Sequence, residues 1–114
     1  MKNINKNNPF AKDKGIKQKR STLIGLSAKA KPVAKMTGVK INDVVLSMLK
    51  SEDHKIFHTF NDWKKDGFIV KKGAKAFCIW SKPIKPKDNE IVDDDYQFFG
   101  ICHLFSNYQV DKLQ

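Results

Sequence analysis

His54 and His58 stand four residues apart in HKIFH, the spacing at which two imidazoles on one helix face can share a zinc ion. A zinc peptidase also needs a glutamate after the first histidine as general base. Lys55 occupies that place and adds positive charge where a metal would sit. His103, Cys78 and Cys102 could complete a ligand set only if the fold gathers them, so ordinary histidines are the expectation and no metal site is assigned. The run Asp93–Asp95 suggests metal-assisted phosphoryl chemistry. Consecutive side chains on a strand alternate in direction, however, and three such carboxylates cannot share one geometry. A solvated, charge-offsetting loop is the simpler reading. GFIVKKGAKA approximates a phosphate-binding loop but has five residues between its glycines, Ala74 before Lys75, and no Ser or Thr after it. Cys78 and Cys102 lie in apolar runs and read as buried thiols, not as a disulfide. No Ser–His–Asp or Cys–His arrangement rises above bare composition, so neither enzymatic activity nor a cofactor is expected.

Charge is what remains. The 114 residues carry 22 Lys and Arg against 12 Asp and Glu, a formal net of +10, unevenly spread. Residues 1–35 sum to +9, 36–87 to +6 and 88–114 to −5. A basic body of this kind suits a polyanion, nucleic acid first and an anionic membrane as competitor. Lys71, Lys72 and Lys75 bunch between the apolar runs FIV and AFCIW; Lys64 and Lys65 precede them, and Lys82, Lys85 and Lys87 follow. Ammonium groups grip phosphates without regard to sequence, whereas base reading favours arginine, and Arg20 is the only one. Aromatic residues supply the second half of a single-strand site, on whose faces bases stack. Phe60, Trp63, Phe68, Phe77, Trp80, Phe98, Phe99, Phe105 and Tyr108 are dense for a small sheet, and most are needed for the core. Trp80 and Tyr108 are expected at the surface because each has a polar atom that tolerates water. Trp63 could instead anchor a short helix to the sheet.

These side chains need elements to carry them. Residues 1–20 hold seven basic residues and only Ile4, Phe10 and Ile16 as sizeable apolar ones, which reads as a flexible basic arm. Residues 21–114 then form a single domain. STLIGLSAKAKPVAKMTG predicts a short helix broken near Pro32 and closed at Gly38. In INDVVLSMLK, Ile41, Val44, Val45, Met48 and Leu49 fall at i, i+3, i+4, i+7 and i+8, predicting a core helix with Asn42 as its N-cap. HTFNDWKKDG predicts a shorter helix capped by Thr59, with Asp62 three residues on, Phe60 and Trp63 on one face, and Gly67 at its end. The period then changes to two. FIV and AFCIW flank KKGA as a hairpin, QFFGICHLF supplies a central strand, and the acid-rich stretch between them is an exposed excursion. The expected fold is α+β: a small antiparallel sheet, hairpin plus a third strand, packed on two or three helices. No run approaches the ~18 apolar residues of a membrane span, and the N-terminal stretch lacks the apolar core of a secretory signal. No membrane contact and a cytoplasmic location are therefore expected.

HTFNDWKKDGFIVKKGAKAFCIWSKPIK followed by FFGICHLFSNYQV resembles the N-terminal domain of ArdC-type antirestriction proteins. That domain shows a Thr-Phe helix entry, a Gly, a Val-Lys/Arg-Lys-Gly turn, an apolar strand ending in Trp and Pro, and a later Val-Phe-Asn-x-x-Gln strand. The corresponding residues are Thr59 and Phe60, Gly67, Val70 to Gly73, Trp80 and Pro83, and Phe105 to Gln109. Upstream, Thr37, Gly38, Ile41 and Asn42 resemble the family's Thr-Gly…Ile-Asn helix entry. The resemblance implies a single-stranded DNA-binding module from a phage, plasmid or conjugative element. In the family this module is joined to a metallopeptidase-like domain bearing His-Glu-x-x-His, a motif this sequence lacks. Together these readings point to sequence-neutral binding of single-stranded DNA through Lys64, Lys65, Lys71, Lys72, Lys75 and Lys82, with Trp80 or Tyr108 stacking bases. The alternative is an interaction module whose positive face meets an acidic host defence or replication protein.

Overall fold

The computed structural model describes residues 3–81 and 100–113. Three helices and two small antiparallel sheets make an α+β fold, as the alternating patterns predict. Helix α1 spans Gly15–Thr37, α2 Ile41–Leu49 and α3 Phe60–Lys65. The strands are β1 Phe57–His58, β2 Phe68–Val70, β3 Phe77–Trp80, β4 Ile101–Ser106 and β5 Val110–Lys112, with a 3-10 turn at Asn107–Gln109 between the last two.

The first helix is longer than its sequence suggests. It starts at Gly15 and runs without interruption through Pro32. Proline there removes one backbone donor to the carbonyl of Ala28. Both residues lie on the exposed face, where water can take the freed oxygen. The helix buries only a narrow stripe, Leu23, Ser27, Ala30 and Ala34. Helix α2 buries Ile41, Val44, Val45 and Leu49, four of the five positions that its periodicity marks. Its N-cap is Lys40, with no side-chain cap. Asn42 does different work, pairing like a strand with the outer edge of β3: its Nδ2 donates to the Trp80 carbonyl at 2.8 Å, and its Oδ1 accepts from the Trp80 N–H at 3.0 Å. Helix α3 has the predicted ends. The Thr59 hydroxyl accepts from the Asp62 N–H at 3.2 Å, and Gly67, at φ 87°, adopts the left-handed turn that follows.

The central strand of the three-stranded sheet is β4, in the order β1–β4–β3. The expected hairpin does not form. Strand β3 pairs with β4, placing Phe77 opposite Leu104 and Trp80 opposite Ile101, while β2 pairs with β5, placing Phe68 opposite Lys112 and Val70 opposite Val110. The Lys71 N–H extends the β2–β5 ladder to the Gln109 carbonyl at 2.8 Å. A chain committed to that ladder leaves β2 away from β3, so 71–76 becomes a connection between two sheets. One core joins the layers: Phe10, Leu23, Ile41, Val45, Phe77 and Trp80 are among its fully buried members.

Residues 3–14, expected as part of a flexible arm, are packed on the domain in successive turns, with Phe10 only 1% exposed. The polar residues explain this. Asn5 Nδ2 donates to the Gly73 carbonyl at 3.0 Å and Asn5 Oδ1 accepts from the Lys75 N–H at 2.8 Å. Asn8 Nδ2 donates to the Lys75 carbonyl at 2.8 Å, and Asn8 Oδ1 accepts from the Phe10 N–H at 2.9 Å. A count of apolar side chains does not register amides that satisfy the backbone of a distant turn.

Candidate nucleic-acid interface

Lys71, Lys72 and Lys75 meet on the 71–75 turn. The Ala74 N–H closes the turn onto the Lys71 carbonyl at 3.1 Å. Gly73 at φ 86° supplies the positive dihedral that the third turn position needs. The N-terminal amides hold one side of this turn, and Gln109 Nε2 adds a 2.7 Å bond to the Lys75 carbonyl. The lysine side chains thus project from a fixed backbone. Lys72 and Lys75 are exposed. Lys71 is half-buried, 3.7 Å from the Asp111 carboxylate and 5.8 Å from the centre of the Tyr108 ring. Asp111 is exposed, and such surface pairs are worth about 0–1 kcal/mol, so a phosphate can displace it. Beside the turn, an open depression of about 650 Å³ is lined by Asn3, Asn5, Lys6, Asn7, Asn8 and Lys12, among other residues. The N-terminal segment therefore adds Lys6 and Lys12, both exposed, as lysines lining this depression. Only a clasp between sequence-distant residues reveals them.

Lys64 and Lys65 are exposed at the C-terminal end of α3. Lys82 lies outside the described residues, as do Lys85, Lys87, Phe98, Phe99 and Asp93–Asp95. Trp80 is a correction: it is 1% exposed, and its Nε1 donates to the Ser27 hydroxyl at 2.8 Å, so it offers no face to a base. The polar atom expected to tolerate water finds a buried partner on α1 instead. Tyr108 is half-buried and stands edge-on to His54 at 5.5 Å. Trp63 anchors α3, donating from Nε1 to the Phe105 carbonyl at 2.7 Å. Phe60 and Trp63 do not share a burial face: Trp63 is buried, whereas Phe60, at the first helical position, is 48% exposed. Phe60 is thus the exposed ring on α3, one turn before Lys64, and only its place beside the cap could have singled it out.

His54 and His58 do not lie on one helix. His58 belongs to β1, and His54 precedes it in irregular chain, fully buried. His54 Nε2 must donate to the Lys6 carbonyl, 2.8 Å away, because a carbonyl only accepts. Nδ1 then faces the Ser106 hydroxyl, whose oxygen also accepts from the Tyr108 N–H at 3.2 Å. This serine–imidazole pair is closed to solvent on both sides and serves to tie the N-terminal segment to β4. Among the described residues no three His, Cys, Asp or Glu side chains gather as metal ligands.

Cys78 lies opposite His103, and Cys102 opposite Ile79, so alternation sends the two thiols to opposite faces of the sheet. Both are free. Burial pushes the Cys78 thiol up from 9.0 to about 11, and burial likewise lowers His103. A thiol whose folded value is raised contributes stability that is present below pH 9 and lost as pH climbs through 11. The parent should therefore lose about 2–3 kcal/mol relative to Cys78→Ala between these limits, read from urea midpoints at successive pH values. Parallel pH profiles would contradict a protonated, buried Cys78.

Among the described residues no helix is long and apolar enough to cross a membrane. No family model matches this chain, and neither a curated protein nor a solved structure matches it.

Proposed function

We propose that the protein is a sequence-neutral single-stranded DNA-binding module that acts in the cytoplasm to protect the DNA of a mobile element or phage. The observation that carries this reading is the 71–75 turn, where three lysines project from a backbone held by Asn5, Asn8 and Gln109. Folding needs the glycine of this turn and the apolar strands around it. It does not need three ammonium groups there. Lys64 and Lys65 extend the basic surface, and Tyr108 beside Lys71, with Phe60 before Lys64, supplies aromatic faces for unstacked bases. Protection of incoming DNA is the role suggested by the resemblance to ArdC-type domains.

A Lys71/Lys72/Lys75→Ala variant tests it. Each single-strand phosphate contact contributes about 0.7 to the slope of log Kobs against log salt. The variant should bind a single-stranded oligonucleotide on the order of 100-fold more weakly near 0.1 M salt, with a slope shallower by about 2. Binding as tight as the parent's would remove the turn from the interface. A Lys71/Lys72/Lys75→Ala variant that lost heparin and single strand to the same extent would instead favour the acidic-protein partner.

A further inference from the structure

We propose that the outward face of α1 is a second contact surface, which bears on the phosphate backbone of duplex DNA. Residues 14–42 contain eight basic residues and no acidic one, and they include the whole of a helix about 35 Å long at 1.5 Å per residue. The placement contradicts what a free-standing helix prefers. Lys14 is the N-cap, Lys17 follows within the first turn, and no acid lies in that turn, although the positive end of the helix dipole favours acids. Choices that oppose local stability mark a surface kept for a ligand.

The geometry specifies the ligand. With Leu23, Ser27, Ala30 and Ala34 turned inward, the opposite arc carries Ser21, Gly25, Ala28 and Pro32, all exposed. Lys17 and Lys35 stand along one border of this arc and Lys29 along the other, also exposed. Lys17 and Lys35 are five helical turns apart, so they share one direction at about 27 Å separation. Small side chains between them leave a low floor on which a row of phosphates can approach the lysines. No aromatic residue occurs between Gly15 and Thr37, so the face cannot stack unpaired bases as a single-strand site does. A duplex keeps its bases stacked internally and is straight over this length. The apolar stripe of α1 is spent on the core. Ile16, Val33 and Met36 are exposed, but Ile16 lies near the opposite end of the helix, about 25 Å along the axis from Val33, so no continuous apolar face runs along α1 for a bilayer.

The test compares the parent with Lys17→Gln/Lys29→Gln/Lys35→Gln on a blunt duplex, a single strand of equal length and anionic vesicles. Glutamine keeps helix propensity and removes a cation that the helix dipole disfavours, so the thermal melt should not fall; were it lowered, the three single variants would carry the measurement. Each duplex phosphate contact contributes about 0.9 to the salt slope, so the triple variant should lose about 2.7 in slope and on the order of 100-fold in duplex affinity near 0.1 M salt. Single-strand affinity should stay within about twofold, because those contacts lie on the turn. Unchanged duplex binding would overturn the proposal, as would equal losses on both DNAs, a parent that binds no duplex, or vesicle binding that exceeds duplex binding and falls with it. A parent that binds duplex through α1 but no single strand would sink only the function assigned to the turn.

Discussion

Phe10→Ala should cost about 3–5 kcal/mol, the range for truncating a buried phenylalanine. Phe10 is 1% exposed within the common core, and a chain of this size has only about 5–15 kcal/mol in total. The urea midpoint should fall far enough to leave a measurable unfolded fraction in water. Deleting residues 1–14 should do at least as much. It removes Phe10 together with the amides that satisfy Gly73 and Lys75, and it takes the Lys6 carbonyl from the buried His54 ring. The two views of this segment diverge sharply here, because a flexible arm would tolerate both changes with no shift in midpoint. An unshifted midpoint for Phe10→Ala would mean that the N-terminal packing is wrong. Asn5→Ala separates stability from grip. It leaves the core filled but frees one side of the turn, so its effect on single-strand affinity should exceed its effect on the melt.

The parts of the fold legible in the sequence are those whose signals are local. The 3.6-residue spacing of Ile41, Val44, Val45 and Leu49 specifies α2 because nothing distant alters which face is apolar. Thr59 and Gly67 mark the ends of α3 because a cap and a left-handed turn act within four residues. The charge-free run to Phe105 marks the strand that becomes central, β4. What escaped depends on partners far along the chain. FIV and AFCIW look like a hairpin at short range, yet β2 finds β5, some forty residues on, and β3 finds β4. Asn42 has the chemistry of a cap, and its amide serves equally well on an open strand edge. Asn5 and Asn8 look like solvated tail residues until a turn with unsatisfied backbone groups is placed against them. The candidate site divides the same way. The lysines of the 71–75 turn are visible because folding does not account for them, whereas a ring's exposure depends on what packs over it.

Trp80 shows how that dependence can be measured. Trp80→Ala should lower stability by about 3–5 kcal/mol, since the ring fills the core between α1, α2 and β3. Trp80→Phe retains most of that volume but takes the indole donor from the buried Ser27 hydroxyl. Loss of one partner from a buried polar group costs about 1–3 kcal/mol, and the melt should fall accordingly. Neither variant, measured where it remains folded, should change intrinsic single-strand affinity. A surface tryptophan stacking a base would behave in the opposite way, with affinity reduced by about 1–3 kcal/mol and stability nearly unchanged. Trp63 is the other tryptophan and is buried as well, so the native protein should emit at short wavelength and resist iodide quenching. Bound single-stranded DNA should alter that emission little. If DNA quenched the emission strongly, and Trp80→Phe abolished the quenching without lowering the melt, Trp80 would belong to the interface and the strand edge held by Asn42 would have to open on binding. With the melt lowered and the affinity constant, base contact falls to Tyr108 and Phe60, which are the aromatic positions to substitute next.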